Sequence, residues 1–218
     1  MNEFERPHDH DVIDPAIFYF GTPVVLLSTI AADGTTNLAP MSSVFWLGNR
    51  AVLGMGSRSQ TARNLLETGE CVLNLPSVDQ VDAVDRLALT TGRPEVNESK
   101  RHVGYRFEDD KFGRAGLTPV PSMSVSAPRA QECPVHLEGR VSAHYPLPAS
   151  EHGHPSAYLF EVEISRVHVS PAVRDPTRSN HIDPDRWRPL IMSFQKFYGL
   201  GPQVHESRLS TIDENWYR

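Results

Sequence analysis

The sequence predicts a mainly β fold, a barrel with peripheral helices, and three observations carry that expectation. β-rich runs appear early and again late in the chain, from PVVLLSTI at 23–30 to AYLFEVEISRVHVS at 157–170. The helical stretches between them are short. Strands followed by short helices and then by more strands also lack the strict alternation that builds a parallel α/β sheet.

Size and charge set the outer limits. A chain of 218 residues suits one domain with a long appendage and can bury roughly 70% of the surface its unfolded form exposes. Hydrophobic residues at 39% and charged residues at 22% give an ordinary globular balance. The net charge of −6 and pI near 5.9 argue against a nucleic-acid partner, which would call for a basic excess. A local site for a small phosphorylated ligand stays open. No run approaches the ~18 apolar residues of a membrane span. The start, MNEFERPHDHD, is charged and has no apolar core of the secretory kind. A cytoplasmic protein with no membrane association is therefore expected. Cys71 and Cys133 form no disulfide or zinc pattern, and Cys71 reads as a small buried thiol.

Taken in order, PVVLLSTI ends at Asp33-Gly34, a hairpin signal because both turn positions must tolerate positive φ. The chain returns through TNLAPMSSVFWLG, turns at Gly48-Asn49-Arg50 and enters AVLGMG, so the three segments read as a β-meander. Pro40 marks a sheet edge or bulge. In TARNLLETG, Ala62, Leu65 and Leu66 recur at helical spacing and Gly69 suits a left-handed C-cap. ECVLNLP puts Cys71, Leu73 and Leu75 on one face of a strand. Ser77 and Gln80 then form a capping-box pattern ahead of an apolar stripe of Val78, Val81, Val84 and Leu87. From about 90 to 128 the pattern weakens into a long excursion with short helical pieces, of a length that is often functional. Strands resume at ECPVHLEGRVSAHY. The tail from 172 to 218 ends near the apolar-aromatic run PLIMSFQKFYGLG.

The chemistry-bearing segment is strand AVLGMG, turn SRSQ and helix TARNLLETG. A helix start offers unpaired N–H groups and partial positive charge to a phosphate. Ser57, Ser59 and Thr61 carry hydroxyls, Arg58 a charge, and Asn64 lies one turn on. Gly54 and Gly56 would let a ligand approach closely. Plain capping by Ser57 with Gln60 explains the same residues. Gly54-Met55-Gly56 fails as a dinucleotide fingerprint because Ser59 stands at the third glycine position. His8 with His10 and His152 with His154 lack a third ligand at metal-site spacing, so no metal is expected.

The succession of hairpin, NLAPMSS, LGMGSRSQTARNL and ECVLNLP resembles the flavin reductase-like family of FMN-binding split β-barrel proteins. KFGRAGLTPVPS, ECPVHLEG and HIDPDRWRPLIMSFQKFYGLG resemble one branch of it. The resemblance implies an N-terminal arm at 1–20, an FMN-binding split barrel at 21–171 and a tail at 172–218 that packs on the barrel or on a dimer partner. It implies a homodimer with Asn37, Ala39, Pro40, Met41, Ser42 and Ser43 against the isoalloxazine ring. Ser57, Arg58, Ser59, Thr61 and Asn64 fall on the phosphate-binding turn. Trp46 is the leading aromatic to shield the flavin, ahead of Tyr105, Phe112, Trp187, Phe194 and Tyr198, and His181 is a candidate beside nicotinamide or substrate.

The activity so implied is an NAD(P)H-dependent flavin reductase that uses NADH or NADPH as co-substrate and serves a partner oxygenase or another redox protein. One segment departs from that pattern. Nicotinamide-using relatives carry a His and a Gly-Asp-His-type stretch where this chain reads VSAHYPLPASEHGHPSAYLFEVEI, leaving His144 or the His152/His154 loop as substitutes. A flavoredoxin-like electron carrier and a cofactor-free binding module are the rival readings.

Overall fold

The computed structural model describes residues 10–148, 155–213 and 216. His8, His152 and His154 lie outside the described residues. The chain runs through β1 (Phe20–Pro23), β2 (Val25–Ile30), β3 (Thr36–Met41), β4 (Val44–Leu47) and β5 (Arg50–Gly56) to helix α1 (Gln60–Thr68) and β6 (Glu70–Leu75). A 3-10 turn at Val78–Gln80 leads into α2 (Val81–Leu87). The excursion holds β7 (Thr90–Thr91), α3 (Glu98–His102), β8 (Arg106–Phe107), α4 (Lys111–Ala115), β9 (Pro119–Val120) and β10 (Arg129–Ala130). Two long strands follow, β11 (Val135–Pro146) and β12 (Ala157–Val169), and then the hairpin β13 (Leu190–Ser193) and β14 (Lys196–Gly199).

Seven strands form one antiparallel sheet in the order β3-β2-β6-β11-β12-β5-β4. This order corrects the expected meander. TNLAPMSSVFWLG is not one strand: Ser42 and Ser43 break it, and its halves form opposite edges of the sheet. Only two residues separate Met41 from Val44, so the two edges must meet at this corner, where the Gly54 N–H donates to the Ser43 carbonyl at 2.8 Å. The sheet is curled on itself but not closed. Pro40 accounts for the edge, since it has no N–H for a second neighbour, and it pairs only with Leu26 of β2.

Strand alternation divides the core in two. On β2, Val25 and Leu27 enter the barrel interior with Leu53, Leu73, Phe160 and Val162. Val24 and Leu26 face outward into a second cluster with Leu38, Val84, Leu87, Phe112 and Leu190. Helix α1 caps the barrel interior through Ala62 and Leu65. Here the expected stripe shifts: Leu66 is 41% exposed, because the buried arc of α1 is centred on Thr61, Ala62, Asn64 and Leu65. Gly69 takes the left-handed cap at φ 69°, and the capping box of Ser77 with Gln80 forms on the 3-10 turn. The tail returns to the barrel, where β13 pairs with β1 and Trp187 packs on the first core.

Glu138 on β11 is wholly buried. Its carboxylate accepts from the Met123 and Ser124 N–H groups, the Ser124 hydroxyl and the His168 ring. Burial alone would raise its pKa, but those donors outweigh the penalty and hold it near 2. Among the described residues, no helix is long and apolar enough to cross a membrane.

Candidate functional site

The corner where the sheet edges meet, the start of α1 and the excursion enclose a groove of about 410 Å³. Its first wall is β3 and the corner itself: Asn37, Ala39, Pro40, Met41, Ser42 and Ser43 all line it. Ser42 is buried, and its hydroxyl has no hydrogen-bond partner among the described residues. The Ser43 hydroxyl lies 3.3 Å from the Tyr19 hydroxyl, which brings Tyr19 into the groove. Gly54 and Gly56 floor this end, and a side chain at Gly54 would press on Ser43.

The second wall is the turn into α1, with Ser59, Gln60 and Thr61 in the groove. Ser59, not Ser57, is the N-cap: its hydroxyl accepts from the Ala62 N–H at 3.0 Å. The Ser57 hydroxyl instead donates to the Pro155 carbonyl. The Thr61 hydroxyl accepts from the Asn37 amide at 3.1 Å and ties the two walls together. Much of the hydroxyl chemistry of the turn therefore serves the fold. What remains for an anion is the N–H groups of Gln60 and Thr61, which have no intrahelical acceptor, and Arg58. The Arg58 side chain is exposed and has no hydrogen bond or ion pair with any described residue.

The third wall comes from the excursion and supplies residues that sequence reasoning did not place. Leu89 takes a left-handed conformation at φ 55°, uncommon for a non-glycine residue, and lines the groove with Thr90, Thr91 and Gly92. A Cβ on Gly92 would stand 2.5 Å from the Asn37 side-chain oxygen, so any other residue here would have to displace the side chains of Asn37 and Gln60. Tyr105 lies under the Lys100 ammonium, which is 5.3 Å from the ring centroid. Lys111 lines the groove while only 3% exposed, with the Thr90 hydroxyl as its hydrogen-bond partner. Burial pushes its pKa down to about 8, partly opposed by Glu108 and reinforced by Lys100. The excursion's length pointed to function, but a lysine in a charged, irregular stretch carries no sign that it will be buried.

Other expected site residues lie elsewhere. Trp46 packs against the barrel core and does not line the groove, because β4 turns it inward while Phe45 and Leu47 face solvent. Asn64 is fully buried behind α1, donating to the Thr29 hydroxyl and accepting from Gln60. His181 sits in a turn of the tail with its ring against the Ser179 carbonyl. Phe112 belongs to the second core, and of the remaining aromatics weighed only Tyr105 reaches the groove. Burial raises both cysteine thiols to about 12, which leaves them inert. No group of three or more potential metal ligands occurs among the described residues.

A curled, unclosed antiparallel sheet with a groove at its split edge defines the class of split-barrel proteins. Residues 17–201 match the family model described as flavin reductase like domain, and the chain belongs to that family. It is 38% identical over 192 residues to the uncharacterized protein YdfE of Bacillus subtilis, covering 88% of this chain and 90% of that one. Among solved structures it is similar to flavoredoxin of Desulfovibrio vulgaris, with a TM-score of 0.72 at 20% identity over 92% of this chain and 98% of that one. It is also similar to nitrilotriacetate monooxygenase component B from Bacillus cereus, with a TM-score of 0.69 at 22% identity over 86% and 88%. At these identities the structural likeness establishes the fold. Family and fold together support a flavin-related oxidoreductase role.

Proposed function

We propose that the groove binds FMN and that the protein is an NAD(P)H-dependent flavin reductase. The carrying observation is the junction itself: one groove joins the β3–β4 corner, the start of α1 and lysines that form no ion pair among the described residues. This donor set fits a phosphorylated flavin. The free Ser42 hydroxyl and the corner backbone suit the polar edge of the ring, and Met41 and Tyr105 suit its faces. Arg58, the first N–H groups of α1 and buried Lys111 suit the phosphate. When bound, FMN would supply two-electron chemistry with nicotinamide and one-electron chemistry with a protein acceptor. The likeness to a monooxygenase component supports an oxygenase as that acceptor. Exposed Phe45 and Leu47 on the edge strand β4 support a homodimer, which light scattering would test.

A flavoredoxin-like carrier is the second reading, favoured by the absence of any histidine from the groove lining among the described residues. Anaerobic addition of NADH or NADPH separates the two: bleaching of the flavin spectrum supports the reductase, and an unchanged spectrum supports the carrier. The site is tested by Arg58→Ala, which should leave the fold intact because the side chain has no hydrogen bond or ion pair among the described residues. It should weaken FMN binding by about tenfold, as one charge-assisted contact is worth, and leave riboflavin binding unchanged. A protein that stays colourless after FMN is added and the excess removed would sink the flavin reading.

A further inference from the structure

A second space adjoins the groove at the β3–β4 corner. It encloses about 310 Å³, a volume within the range of small-ligand pockets, and it shares Tyr19, Met41 and Ser42 with the groove. Its other walls come from α2 and from the β13–β14 hairpin. Val24, Val84, Met192 and Phe197 line it with carbon and sulfur, so most of its surface is apolar.

The polar groups in the lining keep unused bonding capacity. Ser42 is 8% exposed, and its hydroxyl has no partner among the described residues. The Gln195 carboxamide and the Asp85 carboxylate likewise make no hydrogen bond or ion pair with any described residue. The Tyr19 hydroxyl has the Ser43 hydroxyl alone, 3.3 Å away. Gln195 is also held under strain. With Phe194 it forms the tip of the hairpin, at φ 64° and 45°, a left-handed pair that glycine and asparagine usually supply. The Phe194 N–H donates to the Tyr19 carbonyl at 2.9 Å, and its ring meets Phe20 edge-on. Contacts with β1 thus fix a strained tip whose side chain lines the pocket, a combination typical of ligand clamps.

The chemistry selects the occupant. Hydroxyls and a carboxamide can donate to carbonyl oxygens, and apolar walls suit a compact ring. No cation lines the pocket among the described residues, and Asp85 repels an anion. The phosphates of a nicotinamide dinucleotide find no partner here. We infer that this pocket holds a compact, uncharged ring bearing carbonyl oxygens, a quinone, and that the quinone is the electron acceptor of the flavin. The inference rests on the flavin reading above, because Met41 and Ser42 are the residues assigned to the flavin ring. In the net reaction NAD(P)H gives up a hydride and leaves as NAD(P)+. The quinone gains that hydride's two electrons and proton, by way of the flavin, and a further proton from solvent, and leaves as the hydroquinone.

Calorimetric titration of the full-length oxidised protein with duroquinone tests the pocket, and anaerobic turnover with NADH or NADPH tests the acceptor role. Duroquinone should bind at least about tenfold more tightly than an analogue with a carboxylate in place of one methyl group, because that carboxylate would be buried beside Asp85. Gln195→Gly, which suits the left-handed φ, should weaken duroquinone by about two- to tenfold, the loss of one hydrogen bond. It should raise the KM for duroquinone without slowing the bleaching of the flavin by nicotinamide. Asp85→Asn should leave duroquinone unchanged and narrow the discrimination against the carboxylate. Equal binding of the two ring compounds, or unchanged duroquinone affinity in Gln195→Gly, would overturn the inference. So would displacement of duroquinone by NAD(P)+, which would assign the pocket to nicotinamide. Duroquinone that binds but is not reduced, in a protein whose flavin bleaches, would end the acceptor role. Failure of FMN to bind sinks the reading of the groove and the acceptor role with it, while the titration with duroquinone still decides the pocket.

Discussion

Glu138 is 0% exposed and Lys111 3% exposed, yet the two buried charges are held on different terms. The Glu138 carboxylate accepts from Met123, Ser124 and His168, and the Arg129 guanidinium lies 3.9 Å away. It knits the 122–130 segment to the two longest strands of the sheet. Lys111 donates to the Thr90 hydroxyl and has no carboxylate within ion-pair distance among the described residues. One charge is satisfied within the chain, and the other is left open where the groove is. A buried charge in an apolar setting costs several kcal/mol unless partners repay it. An open one on a groove wall is an invitation to an outside anion.

Breaking the closed side of this comparison should have the largest effect. Glu138→Ala leaves two backbone N–H groups and a histidine without their acceptor and the Ser124 hydroxyl with Ser165 alone, and should cost about 3–5 kcal/mol of stability. Urea denaturation reads this directly. A loss below about 1 kcal/mol would place Glu138 among ordinary hydrogen-bonded residues and remove the contrast.

Lys111→Met should behave in the opposite way. Removing an uncompensated buried ammonium in favour of an apolar side chain of similar length should leave stability unchanged or raise it by about 1 kcal/mol. The same substitution should weaken FMN by about tenfold or more and spare riboflavin, which lacks the phosphate. Destabilisation on the scale of Glu138→Ala would make Lys111 structural and collapse the distinction.

The last test is pH dependence: stability rises with pH in both windows, but the charged form is the favourable one for Glu138 and the costly one for Lys111. Glu138 has its pKa lowered from 4.5 to about 2 by folding. Its contribution is therefore complete above pH 4.5 and is lost as pH falls toward 2. Lys111 has its pKa lowered from 10.5 to about 8. Between those values the unfolded chain binds the extra proton, so stability rises with pH across that window. A bound phosphate needs the charged ammonium, so FMN affinity should fall as pH rises through 8 while riboflavin affinity stays flat. Titrations of Lys111→Met should lose this alkaline limb.

The comparison also separates what was legible in the residues from what was not. The stretch Asn37 to Ser43 was named through the family resemblance and the turn Ser57 to Thr61 through that resemblance and the local chemistry of a helix start, and Asn37, Ala39 to Ser43 and Ser59 to Thr61 meet in the groove. Asn64 and Trp46 were expected at the site on sequence proximity. Rotation of α1 sends Asn64 to Thr29, and the inward face of β4 sends Trp46 to the core. Ser42 and Ser43 read as part of one strand because nothing local distinguishes a strand break from a polar strand position. Lys111 and Lys100 were beyond reach, and Tyr105 was only one of six aromatics weighed, for the converse reason: their place depends on packing of the excursion onto Leu87–Gly92, which has no periodic pattern.

By itself, then, the sequence determined a mainly β chain and a polar turn at the start of α1, because backbone periodicity, turn chemistry and helix ends are set by neighbours along the chain, and the order of its motifs carried the family resemblance. Only the tertiary structure decided that the middle segment splits into opposite edges of one sheet, that the turn's hydroxyls are largely spent on the fold, and that the lysines lining the groove come from the excursion. Those outcomes depend on contacts between residues far apart in the chain, such as Thr61 with Asn37 and Lys111 with Thr90.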